Sequence, residues 1–481
     1  MDQIISTDYA SAASANSIHS RHRSRWTFLL DSYMGGDEYR RGGYLTRYQL
    51  ESEAEYASRL QMTPLDNHCR SIISTYISFM FRTAPERELG SLEAELTVPD
   101  FLEDCDWEGN NLDAFMKQAS IYANVFGHVW IIMSKPDVGA VTRADELAAG
   151  ARPYLNMMTP LTVTDWKWSR NINGSYELTY FKYVEDSNGS VSVIKEWTKE
   201  LIITTTVNHE DQEIKQRQID VNGLNMIPAV PLYAHRSPVR GIGLSSIDDI
   251  ADTQRMIYNL TSEAEQAIRL GSHPSLVTTR ETQVGSGAGA LIHMPDNLDP
   301  NLKPYVLDFN GSDVASIQST IANLVSAIDK MANTGSIRAT EAKTMSGVSR
   351  EVEFQLLNAR LSEQADNIEL AEEQLWQLFA AYQGQVWDGE INYPASFSIR
   401  DTSNDLDQLI KAKAAFDNVD AKAAIEHEMV ELLELNLTEY PGSADDYQHE
   451  LTEELDEAQK ELNEKQAEID AVAIASTLTA K

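Results

Sequence analysis

The apolar positions of this chain change period several times, and each change marks an element. Residues 1–25 are rich in Ser and Ala without a sustained period, so a flexible arm that settles near Trp26 is expected. Cys69, Ile72, Ile73, Tyr76, Ile77 and Met80 recur at three- and four-residue spacing and predict a helix over 66–81. Leu112 to Asn124 predicts another, opened by the cap candidates Asn110 and Asn111 and closed by Gly127. The pattern then becomes β-branched and aromatic at 128–133, 154–158, 162–168, 176–184, 191–197 and 200–207, with Asn173-Gly174 and Asn188-Gly189 as turn signals. One antiparallel sheet laid against the helices is expected, ended by the proline-rich stretch 227–232.

Helical period returns after Gly243. Apolar residues at 247, 250, 257, 260, 264 and 267/268, broken only by Gln254, predict one helix over 244–270, about 40 Å long, stopped by Gly271. Strand-like pieces at 275–279, 290–294 and 304–309 stand among Gly, Ser, Asn and Pro and imply a small β module. Val314, Ile317, Ile321, Leu324, Ile328 and Met331 alternate at three and four, the seam of a helix packed on a helix. A polar segment, 333–345, follows. The longest helix is predicted over 345–383, roughly 55 Å, with Phe354, Leu357, Leu361, Ala365, Ile368, Leu375, Leu378 and Tyr382 on one stripe. A strand at 391–400, a helix at 404–418, an acidic helical end to 469 and a disordered tail after 471 complete the reading.

At 481 residues the chain is long enough for roughly two to four packing units. Its 74 acidic and 39 basic residues give a net charge of −35, which disfavours any protein that grips a polyanion through a basic face. The excess is uneven: residues 420–470 carry seventeen acidic side chains and three lysines, whereas 19–47 is net basic. No apolar run is long enough to cross a bilayer, and the start, MDQIISTDYASAASANS, lacks the regions of a signal peptide, so a soluble cytoplasmic product is expected. Cys69 and Cys105 stand alone and read as core thiols.

The reacting groups of the common enzyme classes are missing. Gly285-Ser286-Gly287-Ala288-Gly289 is not a dinucleotide fingerprint, and no GxxxxGK[ST], GxSxG or HExxH occurs. His19 and His22 lack a third ligand nearby, and pairs such as Asp248-Asp249 and Glu372-Glu373 reflect an acidic composition rather than converging on one site. No catalytic residue, metal or cofactor is expected.

Three segments carry a resemblance: GIGLSSIDDIADTQRMIYNLTSEAEQAIRLGSHPSLV at 241–277, SGVSREVEFQLLNARLSEQADNIELAEEQLWQLF at 346–379, and ANVFGHVWIIM at 123–133. With the element order they resemble the portal proteins of tailed bacteriophages, over about residues 26–460. The resemblance implies an α+β, mainly helical fold. Wing (26–240), stem helix (241–270), β clip (271–311), second stem helix (312–332), tunnel loop (333–345), second wing part with the long helix (346–418) and acidic helical crown (419–470) would follow one another, between the arm at 1–25 and the tail at 471–481. It further implies a homo-oligomeric ring of about twelve copies at one capsid vertex. Double-stranded DNA would pass non-specifically through it during packaging and ejection. The implied partners are the major capsid protein, the scaffold, the terminase large subunit and a head-tail adaptor, with no membrane. Lys330, Arg338 and Lys343 become candidates for transient phosphate contact in the bore, and Ile317, Ile321, Leu324 and Ile328 for the ring interface. Gln283, Gly285, Gly287 and Gly289 become candidates for terminase and adaptor docking. The alternatives are another phage head-tail connector or capsid-associated structural protein, and an enzyme with an unrecognised site.

Overall fold

The computed structural model describes residues 6–139, 142–272, 276–280, 283–284, 292–293, 299, 304–306, 312–338, 347–394, 396–397, 409–411, 413, 422, 425 and 429. Met1–Ser398 and Ile399–Lys481 are two separate units. The described residues of the second unit are helical, with Met429 buried. Most of the acidic crown expected at 419–470, and the whole tail, lie outside the described residues.

The first unit opens with helices α1 (Tyr9–Ala13), α2 (Ser17–Met34), α3 (Gly36–Arg41), α4 (Glu53–Met62) and α5 (His68–Met80). Strand β1 (Glu86–Glu88), α6 (Val98–Glu103) and α7 (Leu112–Phe126) lead into β2 (His128–Ser134), α8 (Arg143–Ala148) and β3 (Tyr154–Met158). A meander follows: β4 (Val163–Arg170), β5 (Tyr176–Asn188), β6 (Val191–Thr198), β7 (Leu201–Asn208) and β8 (Glu213–Val221). After β9 (Ala229–Tyr233), β10 (His235–Arg236) and β11 (Gly243–Leu244) comes the long α9 (Asp248–Ser272). Four short strands, β12 (Leu276–Val277), β13 (Gln283–Val284), β14 (Ile292–His293) and β15 (Tyr305–Val306), separate it from α10 (Ser312–Ala332), α11 (Gly335–Arg338), α12 (Gly347–Tyr382) and β16 (Glu390–Asn392). The fold is α+β.

The expected single sheet is two. Strands β4 to β8 pair in sequence order, whereas β2 is central in a separate sheet with β3 on one side and β9 on the other. Pro231 opposes Trp130 on β9, an edge strand of that sheet, where a missing N–H is tolerated. The two sheets share a core in which Trp130 contacts Trp166, Trp168 and Phe181. Among the described residues, the strand expected at 391–400 is Glu390–Asn392, which pairs with β1.

Much of the arm expected over 1–25 is helical. Asp8 caps α1 and Asn16 caps α2 through their side chains. Lys182, on β5 and 2% exposed, donates its ammonium protons to Ser11 O (3.0 Å) and Ser14 O (2.7 Å), so a buried cation satisfies the end of α1. The Glu196 carboxylate, also buried, accepts from Ser6 N at 3.0 Å. The anchors of the arm are thus nearly two hundred residues away in sequence, beyond the reach of any local pattern.

Candidate functional site

The element order singles out the helix pair α9 and α10. Their near ends are the neighbours of two antiparallel ladders: β12, just after α9, pairs with β15, just before α10, and β13 pairs with β14 between them. Leu276 faces Val306 and Gln283 faces His293. The opposite ends meet on one helix, because Cys69 on α5 bonds Gln254 near the start of α9 while Tyr76 on α5 bonds Ala332 at the end of α10. The pair therefore runs antiparallel, about 37 Å and 31 Å long, with a small β module at one end and a packed root at the other.

The root is built from satisfied helix ends. Buried helix termini leave orphan backbone groups that need partners. Gln254, which interrupts the apolar stripe of α9, is fully buried and supplies two of them: its Oε1 accepts from Cys69 N (2.9 Å) and its Nε2 donates to Ser32 O (3.1 Å). Asn67 and Arg70 take the carbonyl of Tyr33 at 2.9 and 3.1 Å, and Arg70 also bonds that of Met34. At the C-terminus of α10, Asp329 O accepts from Thr334 N, Lys330 O from Asn333 N, Met331 O from Arg360 and Ala332 O from Tyr76 Oη. Every carbonyl of that last turn has a donor. Replacing Gln254 by Leu keeps the volume and orphans one buried donor and one buried acceptor. The expected cost is about 2–4 kcal/mol, read as a shifted denaturation midpoint; a shift below about 0.5 kcal/mol would remove Gln254 from this role.

Midway along α9 a second tie holds α4. Arg59, 3% exposed, makes a two-pronged pair with Glu51 (2.7 and 2.7 Å) and donates to Thr46 O (2.6 Å) and to Ser262 Oγ (3.1 Å) on α9. The guanidinium holds the Glu51 carboxyl below the usual carboxylate range.

The candidate residues fall into different surroundings. Lys330 is exposed in the last turn of α10, and Lys343 lies outside the described residues. Arg338 is ion-paired within the chain. The segment after Asn333 folds into α11, and Arg338 turns back to bond Asp329 Oδ1 (2.8 Å) and His68 Nδ1 (3.1 Å). Because Arg only donates, His68 carries its proton on Nε2, which faces Asp66 at 3.2 Å. Burial pushes this imidazole below its ordinary pKa. Ile328, with no exposed surface, belongs to the core of this chain, while Ile317, Ile321 and Leu324 are half-buried. Gln283 is on β13; Gly285, Gly287 and Gly289 lie outside the described residues.

Two features escape the sequence reading. Glu372 is fully buried, accepting from Arg87 Nε (2.5 Å), Tyr393 Oη (2.5 Å) and Trp376 Nε1 (3.3 Å), and Arg87 also pairs with Asp113 at 2.6 Å. Its place in the stripe Ile368, Glu372, Leu375, Phe379 is the signal that separates it from its neighbour Glu373. The other is the solvent face of α10. Positions 315, 316, 318, 319, 320, 322, 323 and 326 are exposed and hold only Ala, Ser, Thr, Gln and Asn; no charged residue occurs from 314 to 328. The exposed positions of α9 include Asp248, Asp249, Asp252, Arg255, Glu263 and Arg269.

Among the described residues no group of His, Cys, Asp or Glu is arranged to hold a metal, and no helix is long and apolar enough to cross a membrane. Both cysteines are buried and unpaired, and burial pushes each thiol up to about 12.

Solved particles contain similar chains. One is a chain in the neck of an empty gene transfer agent (GTA) particle computed with C6 symmetry, with TM-score 0.45 and 10% identity, over 82% of this chain and 99% of that one. A chain of the native GTA virion gives 0.41 and 10%, over 83% and 98%, and one in the native GTA neck computed with C12 symmetry gives 0.38 and 10%, over 82% and 98%. No family model matches the sequence, and no curated protein does.

Proposed function

We propose that this chain is the ring-forming portal subunit of a tailed-phage head, a structural protein through which double-stranded DNA is packaged and ejected. The observation that carries the reading is the antiparallel pair α9–α10, closed by β12–β15 at one end and rooted through Gln254, Tyr76 and Arg360 at the other. A helix pair held this firmly at one end, in a chain of one subunit type, suits the wall of a ring in which each copy repeats one heterologous contact.

In this reading the exposed face of α10 lines the bore. Phosphates that slide past a wall are slowed by every cation they neutralise, since each contact releases counterions and adds to binding. A face of Ala, Ser, Thr, Gln and Asn offers hydrogen bonds that water replaces freely and no charge to hold the duplex. The wall in this reading is uncharged, with the acidic excess on α9 and elsewhere. Lys330 and Lys343 remain sparse phosphate contacts near the bore. Ile317, Ile321 and Leu324 contribute to the subunit interface, and the β module, with Gln283 and the glycines after it, is the docking point for terminase and adaptor. Capsid protein and scaffold contact the rest of the ring.

The test is assembly. Purified full-length protein examined by native mass spectrometry and negative-stain microscopy should give rings of about twelve subunits with a central hole. A monomer or small closed oligomer without a hole, at every concentration tried, would overturn the reading.

A further inference from the structure

About 33 Å along α12 from Arg360 at the root lies a groove outside the α9–α10 pair. It holds about 400 Å³ and is lined by Leu96, Trp107, Leu147, Asp100, Glu103 and Arg152, among others. The groove is fixed to the end of α12, where Gln383 Nε2 donates to Thr97 Oγ1 at 3.1 Å and Arg143 donates to Gln383 O at 3.2 Å.

Two large apolar side chains stand in water here: Leu96 is 74% exposed and Trp107 is 52% exposed. Trp107 has φ of +64, a left-handed conformation that a bulky side chain adopts only when its surroundings impose it. The surrounding loop does impose it. Asp106 accepts from Glu108 N (2.9 Å) and Asn110 Nδ2 (2.7 Å), Asp104 accepts from Gly109 N (3.0 Å), and Cys105 bonds Asn110 O and Leu155 N through its backbone. Arg152 stacks on the indole, 4.5 Å from its centre, and pairs with Asp104 at 3.2 Å. Arg152 is itself 6% exposed, and its Nη1 has no acceptor. The indole is thus presented rigidly, so little conformational entropy is lost when something covers it.

The charge of the lining selects what covers it. Asp100, Glu103 and Asp104 face one cation, Arg152, which is already paired. An acidic ligand would be repelled, and a purely apolar one would leave the carboxylates to be desolvated without partners.

We infer that the Trp107 groove is a docking surface for a basic peptide segment of another protein, an apolar side chain seated between Leu96 and Trp107 and its Lys or Arg neighbours set against Asp100 and Glu103. A backbone carbonyl of the segment is a suitable acceptor for Arg152 Nη1. The inference does not depend on the ring, since it concerns the opposite end of α12.

The experiment uses the full chain and a fluorescein-labelled peptide of alternating lysine and leucine, with a glutamate-for-lysine and a serine-for-leucine counterpart. Fluorescence anisotropy should show saturable binding of the lysine–leucine peptide, about tenfold or more weaker binding of the serine peptide, and none of the glutamate peptide. Trp107→Asn suits the left-handed backbone and so preserves the fold, and should weaken binding about tenfold or more. Asp100→Lys with Glu103→Lys should do the same and remove most of the salt dependence. Equal binding by Trp107→Asn and the parent chain, or equal binding of the glutamate peptide, overturns the proposal. So does a change of oligomeric state in Trp107→Asn without peptide binding by the parent, which would make a second copy the occupant.

Discussion

Gly243→Ala is expected to lower the apparent melting temperature by about 3–5 °C or to leave the protein insoluble. A Cβ at Gly243 would lie 2.0 Å from Gly127 O, 2.7 Å from Gly127 C and 3.1 Å from His235 O, all backbone atoms. Gly127, at φ +93, would bring its own Cβ to 2.5 Å from Gly243 O. The two glycines are packed back to back because three elements cross there: α7 ends at Gly127, β2 begins at His128, and the lead into α9 passes over both. Ser245 and Ser246 continue the contact by donating to Val125 O (2.7 Å) and Asn124 Oδ1 (2.6 Å). None of these atoms rotates away, so overpacking costs about 3 kcal/mol, at the upper end of its usual range. At about 2.1 cal/mol/K of unfolding entropy per residue, over the unit Met1–Ser398, that gives the stated shift. Gly223→Ala is the control: nothing lies within 4 Å of its Cβ, its φ is ordinary, and a change within about 0.5 kcal/mol is expected. Equal melting of the two variants by scanning calorimetry would show that the crossing is not tight.

What a sequence discloses here follows the range of the interaction. Strands β2 to β7 are legible to within a few residues, because alternation and the Asn-Gly turns are local. Strand β8, EIKQRQIDV, is not, since it is an edge strand with nearly every side chain exposed and thus no face for a pattern to mark. The division into two sheets is invisible, because β2 chooses β9, about a hundred residues away, over the neighbouring meander. The long helices α9, α10 and α12 are plain from their stripes, and Gln254 is visible as a break in one. What that break does, capping α2 and α5 at once, depends on two helices 185 and 222 residues earlier at the points of contact. The partners of Arg338 are hidden for the same reason: a cation in a polar segment looks free until Asp329 and His68 are placed beside it.

Placing lysines at 319, 323 and 326 together should convert the proposed bore from a sliding surface into a binding one. Ser319, Asn323 and Ser326 are exposed at spacings of four and three, one stripe along α10, so the new ammonium groups fall in line with the proposed path of the duplex. None contacts the core, and lysine is a good helix former, so folding and ring assembly should be preserved. A ring of about twelve copies would then present roughly three dozen added cations to the phosphates. Each phosphate neutralised steepens the fall of log K with log salt by about 0.9, so even six to ten contacts change affinity by about 10³–10⁵ between low and moderate salt. Isolated rings of the variant should therefore co-sediment with linear duplex at low salt and release it as salt rises, while parent rings do not retain it. DNA filling of heads should fall about tenfold or more at low ionic strength and recover in part at high. Normal filling at every ionic strength would remove α10 from the bore wall. Failure of the lysine variant to form rings, while its subunits stay folded by circular dichroism, would instead make the uncharged face a contact between neighbouring copies. In that arrangement the small residues of α10 would serve close helix packing, and the bore would have to be lined by the charged face of α9.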